Sequence, residues 1–207
     1  MKTATIAASL LLLAGCSAGP AEPTAAATAG ATTLPAARVG ADGSACTLPV
    51  EFDLATRWKP AAVDAAAAGE LADLFRSGPF TMLCEISAKP AGSIGFLRVY
   101  VAAGRTGTPR SHLETFVAGQ FPDQRRAGNF EVVKSGYAEV TTGGQAAAEV
   151  TYETWNTSME HAGKYSAFAV NTAGGAVVVH LSAFGADEHD ETLPALRLAE
   201  RTLTVTP

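Results

Sequence analysis

The chain has 207 residues, 47% of them apolar and only 17% charged, and a formal net charge of −5. Phosphate binding needs clustered Lys and Arg, and the densest basic run is Gln124-Arg125-Arg126, which reads as a solvated loop, so nucleic acid is excluded as a partner. Three cysteines and four histidines fall in no Cys-x-x-Cys arrangement and no zinc-like spacing, so neither a redox motif, a metal nor a cofactor is expected.

Met1 and Lys2 give a short positive start, and Ile6 to Leu13 forms an apolar run well below the roughly 20 residues of a membrane-spanning helix. That is the pattern of a signal peptide over residues 1–15, and Lys2 leaving with it takes the net charge to −6. Its end, Leu13-Ala14-Gly15-Cys16, resembles the lipobox of bacterial lipoproteins. The resemblance implies that Cys16 becomes the acylated first residue of the mature protein, holding it on the extracytoplasmic face of the cell membrane. The alternative is an ordinary leader with a chance cysteine. Two or three acyl chains, at about 0.8 kcal/mol per buried CH₂, give stable attachment where a single chain is marginal.

An odd cysteine count in an exported protein needs an explanation. With Cys16 acylated, Cys46 and Cys84 remain as a candidate disulfide in a compartment that favours one, two buried thiols being the alternative. Ser17 to Ala45 is almost wholly Ala, Thr, Pro and Gly, with Glu22, Arg38 and Asp42 as its charges. Nothing in such a stretch is expected to form a core, and residues 16–45 are expected to form a lipidated, disordered tether. Residues 46–207 are then left for one globular domain.

Within that domain, Val50 to Leu54 alternates as a strand does and stops at Trp58-Lys59-Pro60. The Ala-rich run Ala61 to Phe75 predicts a helix despite Gly69. Phe80 to Ile86 and Ile94 to Ala102 predict strands joined through Lys89-Pro90-Ala91-Gly92, the second apolar on both faces and therefore central. Thr108 before Pro109 supplies a helix cap, and Leu113, Phe116, Val117 and Phe121 form an apolar stripe behind it. Strands follow at Phe130 to Val133, Tyr137 to Val140, Ala146 to Trp155, Tyr165 to Val170 and Ala176 to Phe184. Gly143-Gly144, Asn156 to Gly163 and Thr172 to Gly175 serve as hairpin connections. Leu193, Leu196 and Leu203 fit a closing helix with Pro194 in its first turn.

This order of elements, with Gly143-Gly144-Gln145-Ala146 leading into Glu149-Val150-Thr151-Tyr152-Glu153, is similar to the PsbP/Mog-like superfamily. More narrowly it resembles the PsbP-like lipoproteins of high-GC bacteria, including the Lpq type. The resemblance implies an α+β fold, a central antiparallel sheet flanked by helices as an α/β/α sandwich. It also implies a binding or assembly module with no catalytic motif, and no functional residue transfers with it.

The residues themselves offer no Gly-x-Ser-x-Gly elbow, no phosphate loop and no His-Glu-x-x-His. Asp187-Glu188-His189-Asp190 has the donors of a cation site, but acidic residues opening a helix complement its dipole, and that is the preferred reading. Glu85, Lys89 and Arg98 are expected to cluster around the Lys89 turn, and His180 to be a hydrogen-bonded histidine of the sheet. Three functions remain in order: a non-catalytic surface lipoprotein that binds a protein partner or helps an envelope complex assemble, a carrier of a lipid or small apolar ligand, and a hydrolase; the partners expected are accordingly the membrane through the lipid anchor and an envelope protein or lipid. The first predicts an exposed apolar patch near Trp155, a candidate binding residue; the second a closed apolar cavity; the third a cleft of converging titratable groups.

Overall fold

Alternating burial along Phe80 to Ser87 and near-continuous burial along Gly175 to Ala183 divide the strands between one-sided and two-sided packing. The computed structural model describes residues 35–206; the expected signal peptide, Cys16 and the first part of the tether lie outside them. In chain order the strands are β1 (Pro35–Val39), β2 (Val50–Ala55), β3 (Lys59–Ala62), β4 (Arg76–Ser77), β5 (Phe80–Ser87), β6 (Gly95–Ala103), β7 (Phe130–Thr142), β8 (Gln145–Asn156), β9 (His161–Thr172), β10 (Gly175–Ala183) and β11 (Thr204–Val205). The helices are α1 (Pro109–Ala118), α2 (Pro122–Arg126) and α3 (Ala186–Thr202).

The main sheet has eight strands, all pairs antiparallel, running β3-β5-β6-β10-β9-β8-β7 with β4 added beside β5. β6 lies inside the sheet between β5 and β10, as its two apolar faces require. One face is covered by α3 and a small sheet in the order β1-β2-β11, with Phe52, Leu54, Ile86, Leu97, Phe168 and Leu196 in its core. The other is covered by α1, with Phe80, Tyr100, Leu113, Phe116, Val150 and Val178 packed beneath. This is the expected antiparallel sheet between two outer layers. β10 stops, β6 starts and the β8–β9 turn lies at one and the same end of the sheet, its lower end.

α1 begins as its first residues dictate. Thr108 accepts from the Ser111 backbone at 3.2 Å while the Ser111 hydroxyl accepts from the Thr108 backbone at 3.1 Å, and Pro109 fills the first turn. Its far end is pressed against the β4–β5 turn: a Cβ on Gly119 would sit 2.4 Å from the Gly78 nitrogen, so only glycine fits. Phe121 has left the stripe, taking φ 53° to open α2.

Several expectations change. The folded part starts before Cys46, because β1 pairs with β2 and Val39 is fully buried, so the expected boundary at Cys46 is moved back at least to Pro35. Ala61 to Phe75 is no α-helix. Lys59–Ala62 pairs with β5, Gly69 takes φ 55°, and only a 3-10 helix at Gly69–Phe75 follows, so pairing to an open sheet edge outweighs alanine propensity. Phe130 to Val140 is one strand bent by an irregularity between Val132 and Lys134, not two. α3 starts at Ala186, because buried His189 and Thr192 dock its first turns on the sheet; Pro194 thus falls mid-helix and Leu203 just past the end. Arg125 and Arg126 lie in α2, where Arg125 donates to the backbone oxygens of Gln120 and Val117 at 2.8 and 3.0 Å.

Candidate functional site

Each strand sends alternate side chains to opposite faces, so the polar residues that sequence left scattered collect in two places, one under each layer. Beneath α1, His180 is buried with its Nε2 2.9 Å from the Tyr152 hydroxyl, and its ring lies nearly parallel to Tyr152 and Tyr165 with Phe116 edge-on at 5.2 Å. Burial first, then the charge of Arg98 and the proximity of His189, lowers the His180 pKa to about 3, so the ring is neutral. Its Nδ1 has no hydrogen-bond partner among the described residues. Arg98, paired with His180 across β6 and β10, bonds Glu85 at 2.8 Å and Ser182 at 3.1 Å and lies over the Phe96 ring. The expected Glu85–Arg98 pair is therefore present, and Lys89 takes no part in it.

Under α3 a second chain of bonds runs from Thr151 through Ser166 to His189 and Asp190. Ser166 Oγ is 2.9 Å from Thr151 Oγ1 and 2.9 Å from His189 Nε2; His189 Nδ1 is 3.0 Å from Asp190 Oδ1, which accepts from Lys164 at 2.7 Å. Serine, imidazole and carboxylate thus meet with the spacing that nucleophilic catalysis uses. Ser166 and His189, however, are only 2% and 1% exposed, beneath the helix that supplies the histidine. A hydroxyl so covered cannot meet an acyl carbon, and the chain fastens α3 to the sheet. Asp187 and Glu188 occupy the first turn of α3, where they complement its dipole, and the described residues hold no group of three or more potential ligands able to bind a metal.

Cys46 and Cys84 are joined by a disulfide, their Cα atoms 5.9 Å apart. Trp155 stands in β8 between Glu131 and Ala162 and is 36% exposed. It has company. Of the seven exposed large hydrophobic residues among those described, Ile94, Val133, Trp155, Met159 and Phe184 lie at the lower end, and Leu71 and Leu74 lie on the 3-10 segment. Ile94 and Phe184 flank the last β6–β10 pair, Gly95 with Ala183, while His161, opposite Asn156 at the start of β9, bonds the Phe184 carbonyl at 2.6 Å. This rim joins the ends of five neighbouring strands, β6, β10, β9, β8 and β7, a grouping that spacing along the chain does not reveal. Two shallow hollows of about 450 Å³ each, one beside Thr172–Gly174 and one beside Thr108–Arg110, are open to solvent and lined by both polar and apolar groups.

A family model described as an uncharacterised lipoprotein matches residues 17–203. No curated protein matches the chain in sequence. Among solved structures, that of the cyanobacterial PsbP protein CyanoP from Synechocystis sp. PCC 6803 is similar at 14% identity, with a TM-score of 0.53 over 82% of this chain and 91% of that one. LpqN, involved in cell envelope biogenesis of Mycobacterium tuberculosis, aligns at 14% identity with a TM-score of 0.45 over 83% and 91%. The PsbP-like fold expected from the order of elements is the fold found.

Proposed function

The chain belongs to this uncharacterised lipoprotein family, and we propose that it is a non-catalytic binding or assembly module of the cell envelope, anchored through acylated Cys16 after loss of residues 1–15. Residues 17–34 then connect the anchor to the fold, and recognition of an envelope protein or lipid belongs to the folded surface. The observation that carries this reading is the apolar rim at the lower end, with Trp155 part of it, since an exposed apolar patch is what a surface binder needs. The carrier reading draws no such support from hollows that are open and partly polar. Hydrolysis would need Ser166 uncovered.

Cys16→Ala tests the anchor. The variant is expected in the soluble envelope fraction or as unprocessed precursor, whereas mature, membrane-bound Cys16→Ala protein would refute the reading. Photo-crosslinking from Met159 or Phe184 in intact cells is expected to capture envelope components, and adducts formed equally well from an exposed site at the opposite end, such as Asp42, would count against the rim.

A further inference from the structure

We infer that the rim of Ile94, Trp155, Met159 and Phe184 lies against the membrane that holds the anchor, an inference that rests on acylation of Cys16. It follows from where the chain enters the fold. β1 and β2 are antiparallel, Pro35 lying beside Ala55 and Val39 beside Phe52. β2 runs toward the lower end. Its start adjoins β11, its end leads through Arg57, which donates to the Ala91 carbonyl at 2.8 Å, and then Lys59 pairs with Ser87, the last residue of β5. β1 therefore rises from the lower end, and the segment that bears Cys16 arrives on the side where the exposed apolar residues are gathered.

The length of that segment strengthens the point. Residues 17–34 can span at most about 60 Å even when fully extended, so an acylated chain keeps the domain within one domain diameter or so of the lipid. Contact with the bilayer is then intramolecular in effect, and a modest apolar rim is enough to sustain it. Trp suits the headgroup boundary, where an apolar ring body and a wet surface meet, and Phe adds apolar area beneath it. Charges at the same end have both signs, Arg57 and Lys89 against Glu160, Asp187 and Glu188. The contact is accordingly apolar, and it is expected on zwitterionic lipid with little dependence on salt. With the rim down, the hollow at Thr172–Gly174 points away from the membrane.

The test uses the full mature, lipidated chain in phosphatidylcholine vesicles whose acyl chains carry bromine near the headgroup. Trp58→Phe leaves Trp155 as the sole tryptophan; subtracting the signal of Trp155→Phe from that of the wild type isolates the same residue if Trp58→Phe disturbs the fold. Trp155 emission should be largely quenched by the brominated lipid, and the Ile94→Asp/Phe184→Asp variant should stay vesicle-bound yet lose the quenching. Protein bound to vesicles with Trp155 unquenched overturns this inference alone. Trp155 unquenched by lipid yet shielded from aqueous iodide assigns the rim to a protein, a second copy included, and overturns it as well. Failure to associate with vesicles at all sinks the anchor reading together with this one.

Discussion

The Tyr152 hydroxyl lies 2.9 Å from His180 Nε2, and both side chains are buried beneath α1. The neutral imidazole is thus built into the core, and acid must break it. In the unfolded chain this histidine titrates near 6.5, whereas in the fold burial and Arg98 lower its pKa to about 3. Between those values the unfolded state binds the extra proton, so stability rises with pH and is lost as pH falls from about 6.5 toward 3. The slope from this one group approaches 1.4 kcal/mol per pH unit. His112 and His189, lowered mainly by burial, act in the same direction. His180→Gln, which retains a polar group for Tyr152, should flatten the curve of urea midpoint against pH across that window; an unchanged curve would show that the ring is charged or exposed.

Removal of the Cys46–Cys84 bridge, whose ends are 38 positions apart, should cost about 4 kcal/mol. For a domain of this size that is about 10 °C in Tm. The measure is a pair of melting curves with and without reductant, together with thiol titration of the unreduced denatured protein, in which neither Cys46 nor Cys84 should titrate.

Ser166→Ala should destabilise by about 1–3 kcal/mol, since it removes the shared partner of Thr151 and His189 and leaves the buried Nε2 of His189 unsatisfied. Turnover of a simple ester such as p-nitrophenyl butyrate should be absent in wild type and variant alike. Serine-dependent turnover would reinstate the hydrolase.

Gly163→Ala addresses the aromatic layer. A Cβ there would meet the Tyr165 ring at 2.6 Å and Thr154 Oγ1 at 2.7 Å, because Tyr165 leans back over the bare glycine. Displacing that ring from its stack on Tyr152, now 5.1 Å away, is expected to cost about 1–3 kcal/mol and to change the near-UV circular dichroism. A fully native spectrum would mean the ring has room to turn aside.

Local chemistry was legible where it decides structure. Thr108-Pro109 announces α1, Gly143-Gly144 a hairpin, and the two apolar faces of Gly95–Ala103 an inner strand. It misled where pairing decides. Lys59–Ala62 is a strand only because the edge of β5 accepts it, and Pro35–Val39 only because β2 does. The polar networks were illegible for a related reason. Ser166 and His189 stand 23 positions apart, as do His161 and Phe184, and only the register of the sheet with the docking of α3 brings them together.

The attachment of β1 also settles how the protein takes mechanical load. A pull on the chain ahead of Pro35, directed away from the lower end, draws β1 along its own axis, so the pairs Ala37–Leu54, Arg38–Asp53 and Val39–Phe52 resist in shear, together, instead of parting one after another. Arg38 doubles that grip, reaching Asp53 at 2.8 Å, Thr204 at 2.9 Å and Glu51 at 3.2 Å. Whatever tension passes these contacts reaches Cys46, and from there the disulfide delivers it to Cys84 in the main sheet. Forces on the amino-terminal segment are therefore taken first by β2 and then, through the disulfide, by the eight-stranded sheet.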